Sequence, residues 1–402
     1  MHSDQVPDEP AMPAGAVWWL SGPAAGGLRA YVDDVTRHLR AAGLPCVVLP
    51  LPAPAWRPNP TKPSGPPAGG GDPPAGRSGI GVAAFIGTVR ALRSLARARP
   101  PRLIHAHGLK AAAVAALALP RVPLVMTLHT YPRGWWQRQV ARWAAGHSRA
   151  VVAVSRALAT WAALGGIAPP PGPGRPAQVH VLVPPLARHG RPPLPRRQAR
   201  RLLGLPELGP VVGTVARLSP EKGVDVLLRA IALVHRAGFP VTCLVVGTGP
   251  DEPALRRLAA RLGIDAWVCW AGPQEGAARL LRAVDVYVQP SRREAYGLAA
   301  AEAMAAGRPV VASRTGGLEE LIRDGVDGRL VPPGDAHALA RALVALLRDE
   351  KARHRLARAA AARASRWPDG ARIARQHLQL YAQVASPAVA PRRGRRDRRA
   401  ER

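Results

Sequence analysis

Two successive series of short apolar runs, each run followed by a stretch with helical spacing, constrain this chain more than any other feature. The first series has runs at 16–20, 46–49, 102–106, 124–128, 150–154 and 179–183. The second has them at 211–215, 241–246, 267–270, 284–289, 309–312 and 328–331. Runs this short, separated by helices, cannot pair as hairpins and instead lie parallel with the helices packed on the sheet faces. The helical stretches carry their own signals. Leu28, Tyr31, Val35 and Leu39 recur at helical spacing before Gly43, and Ser155 is placed to cap the helix that follows it. The fold class expected is therefore α/β, with two Rossmann-like domains facing across a cleft. The N-terminal domain covers 1–185, interrupted by a Pro/Gly-rich insertion at 52–79, and the C-terminal domain covers 186–367. A helix over 368–386 is expected to pack back toward the N-terminal domain, ahead of a disordered basic tail at 387–402.

Charge and cysteine content narrow the function classes. With 57 Lys and Arg against 26 Asp and Glu, the formal net charge of +31 favours anionic partners, although arginine spread over solvated helices would give the same count. The three cysteines, Cys46, Cys243 and Cys269, lie far apart in apolar runs, which argues against a disulfide framework and for a reducing compartment. No apolar stretch approaches the ~20 residues of a membrane span, and residues 1–10 do not read as a signal peptide. The expectation is a cytoplasmic protein. Residues 135–143 form an amphipathic segment with Trp136, Val140 and Trp143 on one face. They could rest on an anionic membrane, but a packed core face is the stronger reading.

Parallel sheets bind ligands outside the carboxyl ends of their strands, and four clusters fall there. They are Gly26-Gly27, His105-Ala-His107-Gly108, His129-Thr130, and Arg217-Leu-Ser-Pro-Glu-Lys222-Gly223. The glycine pair could equally serve close packing, and the two alternating histidines lack the further ligands a metal needs. Glu294 and Glu302 flank Gly297 at a loop-to-helix junction, where a helix N-terminus suits a phosphate. Alone, the two glutamates read as surface charges. Val246-Gly-Thr-Gly249 lacks the third glycine of a dinucleotide fingerprint, because Glu252 stands there.

Together these clusters resemble the GT-B glycosyltransferases of family 4, the retaining glycosyl transferases group 1. Val211–Leu228, Val246–Pro250, Pro290–Val311, Thr315–Glu320, Leu103–Gly108 and Val125–His129 carry the resemblance, through their order and spacing. The resemblance implies a retaining transfer of sugar from a nucleotide-sugar to a lipid-linked, polysaccharide or small-molecule acceptor, with UDP favoured over GDP and no metal or other cofactor. It implies that Glu302 binds ribose hydroxyls, that Arg217 and Lys222 clamp the diphosphate, and that Gly297 and Leu298 offer it backbone N–H groups. Glu294 would hold hydroxyls of the donor sugar, His129 would approach that sugar from the first domain, Gly26 and Gly27 would line the phosphate and acceptor side, and Gly272 would lie by the base. Peripheral contact with an anionic membrane at its inner face fits such an enzyme, and specific nucleic-acid binding does not. The chain departs from the family pattern at Val183-Pro184-Pro185-Leu186-Ala187-Arg188, where Ile-Pro-Asn-Gly-Val-Asp is common. Two other readings stay open: a UDP-sugar 2-epimerase-type isomerase on the same fold, and a non-catalytic anion-binding protein.

Overall fold

The computed structural model describes residues 15–22, 27–51, 82–171, 178–186 and 193–385. The insertion at 52–79, the tail at 387–402 and Gly26 lie outside the described residues. The first half runs β1 (Val17–Ser21), α1 (Gly27–Ala41), β2 (Cys46–Pro50), α2 (Val82–Ala98), β3 (Leu103–His107), α3 (Leu109–Ala118), β4 (Leu124–Leu128), α4 (Gly134–Gly146), β5 (Ala150–Ala153), α5 (Arg156–Leu164) and β6 (Val179–Val181). The second runs α6 (Arg196–Leu202), β7 (Val211–Val215), α7 (Val224–Arg236), β8 (Thr242–Val246), α8 (Glu252–Arg261), β9 (Val268–Gly272), β10 (Val286–Gln289), α9 (Leu298–Ala305), β11 (Val310–Ser313), α10 (Gly317–Leu321) and β12 (Arg329–Val331). Three helices finish the chain: α11 (Ala336–Arg348), α12 (Glu350–Ala364) and α13 (Gly370–Ala385). Among the described residues no helix is long and apolar enough to cross a membrane.

The strands form two six-stranded parallel sheets, ordered β2-β1-β3-β4-β5-β6 and β12-β11-β10-β7-β8-β9. Every residue of β1, β3, β4 and β5 is buried, as expected for parallel strands covered on both faces. Alternate residues feed two cores. Trp18, Ile104 and Met126 face α2–α5, whereas Trp19, Leu103 and Val125 face α1 and α13. The Ser155 cap is present, its Oγ accepting from the Leu158 amide at 3.1 Å.

Helix α13 lies on the first sheet although the chain has already built the second. Gly370 makes this approach possible, because a Cβ there would overlap Asp34 and His38 of α1. Two buried bonds hold the helix: Tyr381 Oη to His105 Nδ1 at 2.5 Å and Tyr31 Oη to His377 Nε2 at 3.1 Å.

The expected packed face of α4 is not the one observed. Trp136 is 69% exposed and Trp143 38% exposed, while Ala141, Ala144 and Ala145 are buried against the sheet side. The small alanines allow closer approach to α3 than indole rings would. Packing distance decided this helix's orientation, not hydrophobicity.

Burial holds the imidazoles of His105 and His107 well below 6.5, and those of His129 and His377 at about 4. The unfolded chain therefore binds more protons than the folded one between those values and 6.5. Stability is full above 6.5 and is lost as pH falls through about 4. Urea midpoints should drop across this window, and the drop should be smaller for His377→Gln, which keeps a polar partner for Tyr31. Equal slopes in the two proteins would contradict this account.

Candidate active site

Both sheets reverse their strand order once, and the sequence clusters collect at those two points. In the first sheet β1 lies between β2 and β3, so the segment leaving Ser21 and the end of β3 at His107 are neighbours. In the second, β7 lies between β10 and β8, which brings Arg217 and Lys222 beside the segment leaving Gln289. Such points open a crevice at the carboxyl ends of the strands.

Four loops of the second half, those leaving β7, β8, β10 and β11, are pressed together there through glycines. Gly223 sits at φ +64°, and a Cβ on it would overlap the Pro290 carbonyl. Gly247 and Gly249 lie in the same way on the carbonyls of Ala216 and Leu218, and Gly316, at φ +55°, lies on that of Glu294. The two glycines of Val246-Gly-Thr-Gly249 thus serve backbone packing.

This packing places Lys222 on Glu294, with Nζ donating to Oε1 at 3.0 Å and Oε2 at 2.8 Å. Glu294 Oε2 also accepts from Ser291 Oγ at 2.9 Å and Gln289 Nε2 at 3.1 Å, leaving Oε1 with Lys222 as its one partner among the described residues. Tyr287 Oη in turn donates to Gln289 Oε1 at 2.7 Å. Tyr287, Gln289 and Ser291 do not stand out as site residues in the sequence, yet their alternation with Val288 and Pro290 is a usable signal. Period two sets Tyr287 and Gln289 on one face of β10, and Ser291 continues the alternation just past its end.

Gly297, at φ +96°, caps α9, and Leu298 is the first helical residue. Leu298 reaches across to the first half, where a Cβ on Gly27 would come within 2.6 Å of its side chain. The N-termini of α1 and α9 therefore meet, and their partial positive ends converge. Glu302, in the second turn of α9, makes no hydrogen bond or ion pair with a described residue, and burial pushes its carboxyl up to about 7. Arg217 is exposed at the end of β7 and likewise pairs with no described residue. Gly272, at φ +62°, ends β9, with its carbonyl accepting from the Gly247 amide at 2.8 Å.

His129 Nε2 lies 2.9 Å from His107 Nδ1, and Trp19 stacks on the His107 ring at 4.5 Å. Among the described residues the His107 Nε2 atom is buried without a partner. A proton there would be an orphaned donor, which is costlier than an orphaned lone pair, so His107 carries its proton on Nδ1 and donates to His129. His129 is then left with its N–H on Nδ1. Among the described residues no group of three or more His, Cys, Asp or Glu could hold a metal ion.

Contacts between the two halves surround the crevice, and sequence reasoning did not anticipate them. Arg133 pairs with Glu221, and the Arg293 guanidinium lies 5.1 Å from the Tyr131 ring centre. The Glu320 carboxylate accepts from the Arg156 and Ala157 amides at 3.1 and 2.6 Å, capping α5 from the other half.

Two family profiles match successive stretches of the chain: Glycosyltransferase Family 4 over residues 25–171 and Glycosyl transferases group 1 over residues 209–349. The chain belongs to the family 4, group 1 glycosyltransferases. A phosphatidyl-myo-inositol mannosyltransferase from Mycobacterium leprae is 42% identical over 192 residues, which are 47% of this chain and 50% of that protein. The match thus spans about half the length of such curated relatives. Sucrose-phosphate synthase from Thermosynechococcus elongatus superposes with a TM-score of 0.76 at 23% identity, covering 92% of this chain and 98% of that one. HepE from Anabaena, solved in complex with UDP-glucose, gives 0.71 at 25% identity over 92% and 99%. The fold of this family 4 member is GT-B, two parallel-sheet halves facing across a crevice.

If the Gly223 contact sets the loop geometry, Gly223→Ala should cost several times more stability than Gly238→Ala. Both sites have positive φ, but a Cβ on Gly238 meets open space, so that variant should lose only the ~1–2 kcal/mol of left-handed strain. Urea unfolding of both variants measures the difference, and equal losses would count against the loop packing described here.

Proposed function

We propose that this family 4 glycosyltransferase is a retaining enzyme that moves a sugar from a UDP-linked donor to a lipid-linked, polysaccharide or small-molecule acceptor. Glu302 carries the reading. It is a carboxylate without a partner among the described residues, held beside the positive end of α9 where hydroxyls and phosphate can be bound together. The likeness to HepE, whose structure holds UDP-glucose, supports uridine over guanosine.

In this reading residues 186–367 hold the donor and 1–185 the acceptor side. Glu302 accepts from the ribose hydroxyls, and Gly272 lies by the base. Arg217, Lys222 and the amides of Gly297 and Leu298 face the diphosphate, with Gly27 opposite. Glu294 Oε1, which accepts from Lys222 alone among the described residues, has lone pairs to spare for donor-sugar hydroxyls. Ser291 and Gln289 hold the carboxylate in place when Lys222 turns to phosphate. His129, left with an N–H by its bond to His107, donates to the sugar and does not act as a base.

Chemistry then consists of breaking the anomeric C–O bond to phosphate while the acceptor oxygen bonds to the same face. The acceptor proton passes to the departing phosphate oxygen. Cations and helix ends stabilise the anion that develops. No side chain becomes a nucleophile, and no metal or other cofactor is assigned a step.

UDP should raise the melting temperature of the protein by mass action, and Lys222→Ala should weaken that effect at least tenfold in apparent affinity. Absence of stabilisation by every nucleoside diphosphate tested would defeat the reading. UDP affinity should also rise as pH climbs through about 7, because a carboxylate accepts from hydroxyls better than its acid does. Glu302→Gln should bind more weakly and lose that component of the pH dependence.

A further inference from the structure

The exposed side of α4 is unusual for a helix packed on a parallel sheet. Trp135 and Trp136 are each 69% exposed, with ring centres 6.1 Å apart, and Trp143 follows two turns later at 38%. Leu117 of the adjoining α3 adds a further apolar side chain at 42%. The arginines of the helix are drawn aside. The Arg142 Nε donates to the Gly165 carbonyl at 2.7 Å, and the Arg138 guanidinium lies 5.6 Å from the Trp161 ring centre. Both arginines remain exposed, so cationic groups and indoles share this side of α4.

The charge around this patch has one sign. Residues 82–171, which supply α2 to α5 on a single face of the first sheet, contain twelve Lys or Arg and no Asp or Glu. The acid-free stretch extends from Asp72 to Glu207. Of the carboxylates that reach this region from the second half, Glu221 is engaged by Arg133 and Glu320 by the start of α5, while Glu319 lies near Tyr131 at the crevice edge. Trp rings seek the boundary between headgroups and acyl chains, and Arg and Lys are drawn to anionic headgroups. Duplex DNA would match the charge but keeps its bases stacked inside, with no apolar layer for the exposed indoles.

We propose that this face docks on the surface of an anionic lipid bilayer, with Trp135, Trp136 and Trp143 in the headgroup boundary and the acid-free helices α2–α5 supplying attraction. The patch adjoins the crevice. His129 leads through Tyr131 and Arg133, both in contact with the second half, into Gly134 at the start of α4. Docking therefore sets one lip of the crevice at the lipid surface. In a consequence that rests on the transferase reading, the acceptor is an amphiphile presented by that bilayer.

Co-sedimentation of the full chain with phosphatidylcholine vesicles, with and without about one-third phosphatidylglycerol, tests the surface without any donor. The expected result is roughly tenfold more binding to the anionic vesicles at moderate salt, falling at high salt. Brominated acyl chains should quench the tryptophan fluorescence. Trp135→Ser/Trp136→Ser should lose most of the binding and the quenching while keeping its melting temperature and its stabilisation by UDP. Equal binding to both vesicle types, unchanged binding by the double variant, or stronger competition from duplex DNA than from anionic vesicles would overturn the proposal. Loss of UDP stabilisation in the parent protein would instead strike the donor-pocket reading and leave the surface result standing.

Discussion

The site depends on backbone meeting backbone. At Gly223, Gly247, Gly249 and Gly316, main chain from one loop occupies the space where a neighbouring residue would carry its Cβ. These close approaches set the spacing between the ends of β7, β8, β10 and β11, and only at that spacing does Lys222 reach Glu294. A loop held by side chains could relax by rotamer changes. One held by a carbonyl lying directly on a glycine cannot, because the barrier is steric and immediate. The rigidity suits a site whose work is electrostatic, where donors must already point at the developing charge.

Two kinds of polar group occupy the crevice, and they differ in how they are satisfied. Glu294 is held by Lys222, Ser291 and Gln289, so its position is fixed before any ligand arrives. Glu302 has no hydrogen-bond or ion-pair partner among the described residues, and burial pushes its carboxyl up to about 7. A chain that merely needed surface charge at that position would leave the group in water. The histidines show the same division. His105 is bonded at both nitrogens, to Tyr381 and Thr127, whereas His107 spends one nitrogen on His129 and leaves the other without a partner among the described residues.

The strands were legible because each is a short apolar run bounded by Gly, Pro or a helix pattern, and fully buried parallel strands have no other way to look. Helix ends were legible where a side chain marks them, as Ser155 does. The site was legible only as a set of spacings. Nothing in Lys222 or Glu294 alone says that they touch, since 72 residues separate them and the contact is made by Gly223 lying on Pro290. The cross-half contacts of Arg133, Arg293 and Glu320 were not legible, because periodicity describes one element at a time and says nothing about how two sheets face each other.

The orientation of α4 shows why hydrophobicity misled. Its heptad spacing offers two candidate inner faces, one with Trp136, Val140 and Trp143 and one with Ala141, Ala144 and Ala145. Ranking by apolar area selects the tryptophans, but area is only gained if the ring has a cavity to enter. The facing helix α3 is itself built of buried alanines, Ala111 to Ala116 among them, and leaves none. Small residues on both helices pack at close range, and dispersion gained along the whole interface outweighs burying two large rings at the cost of driving the helices apart. The indoles are therefore excluded from the core by the shape of what is already there. A chain that keeps them in that position, on a face stripped of carboxylates, places them where an apolar boundary next to negative charge would receive them.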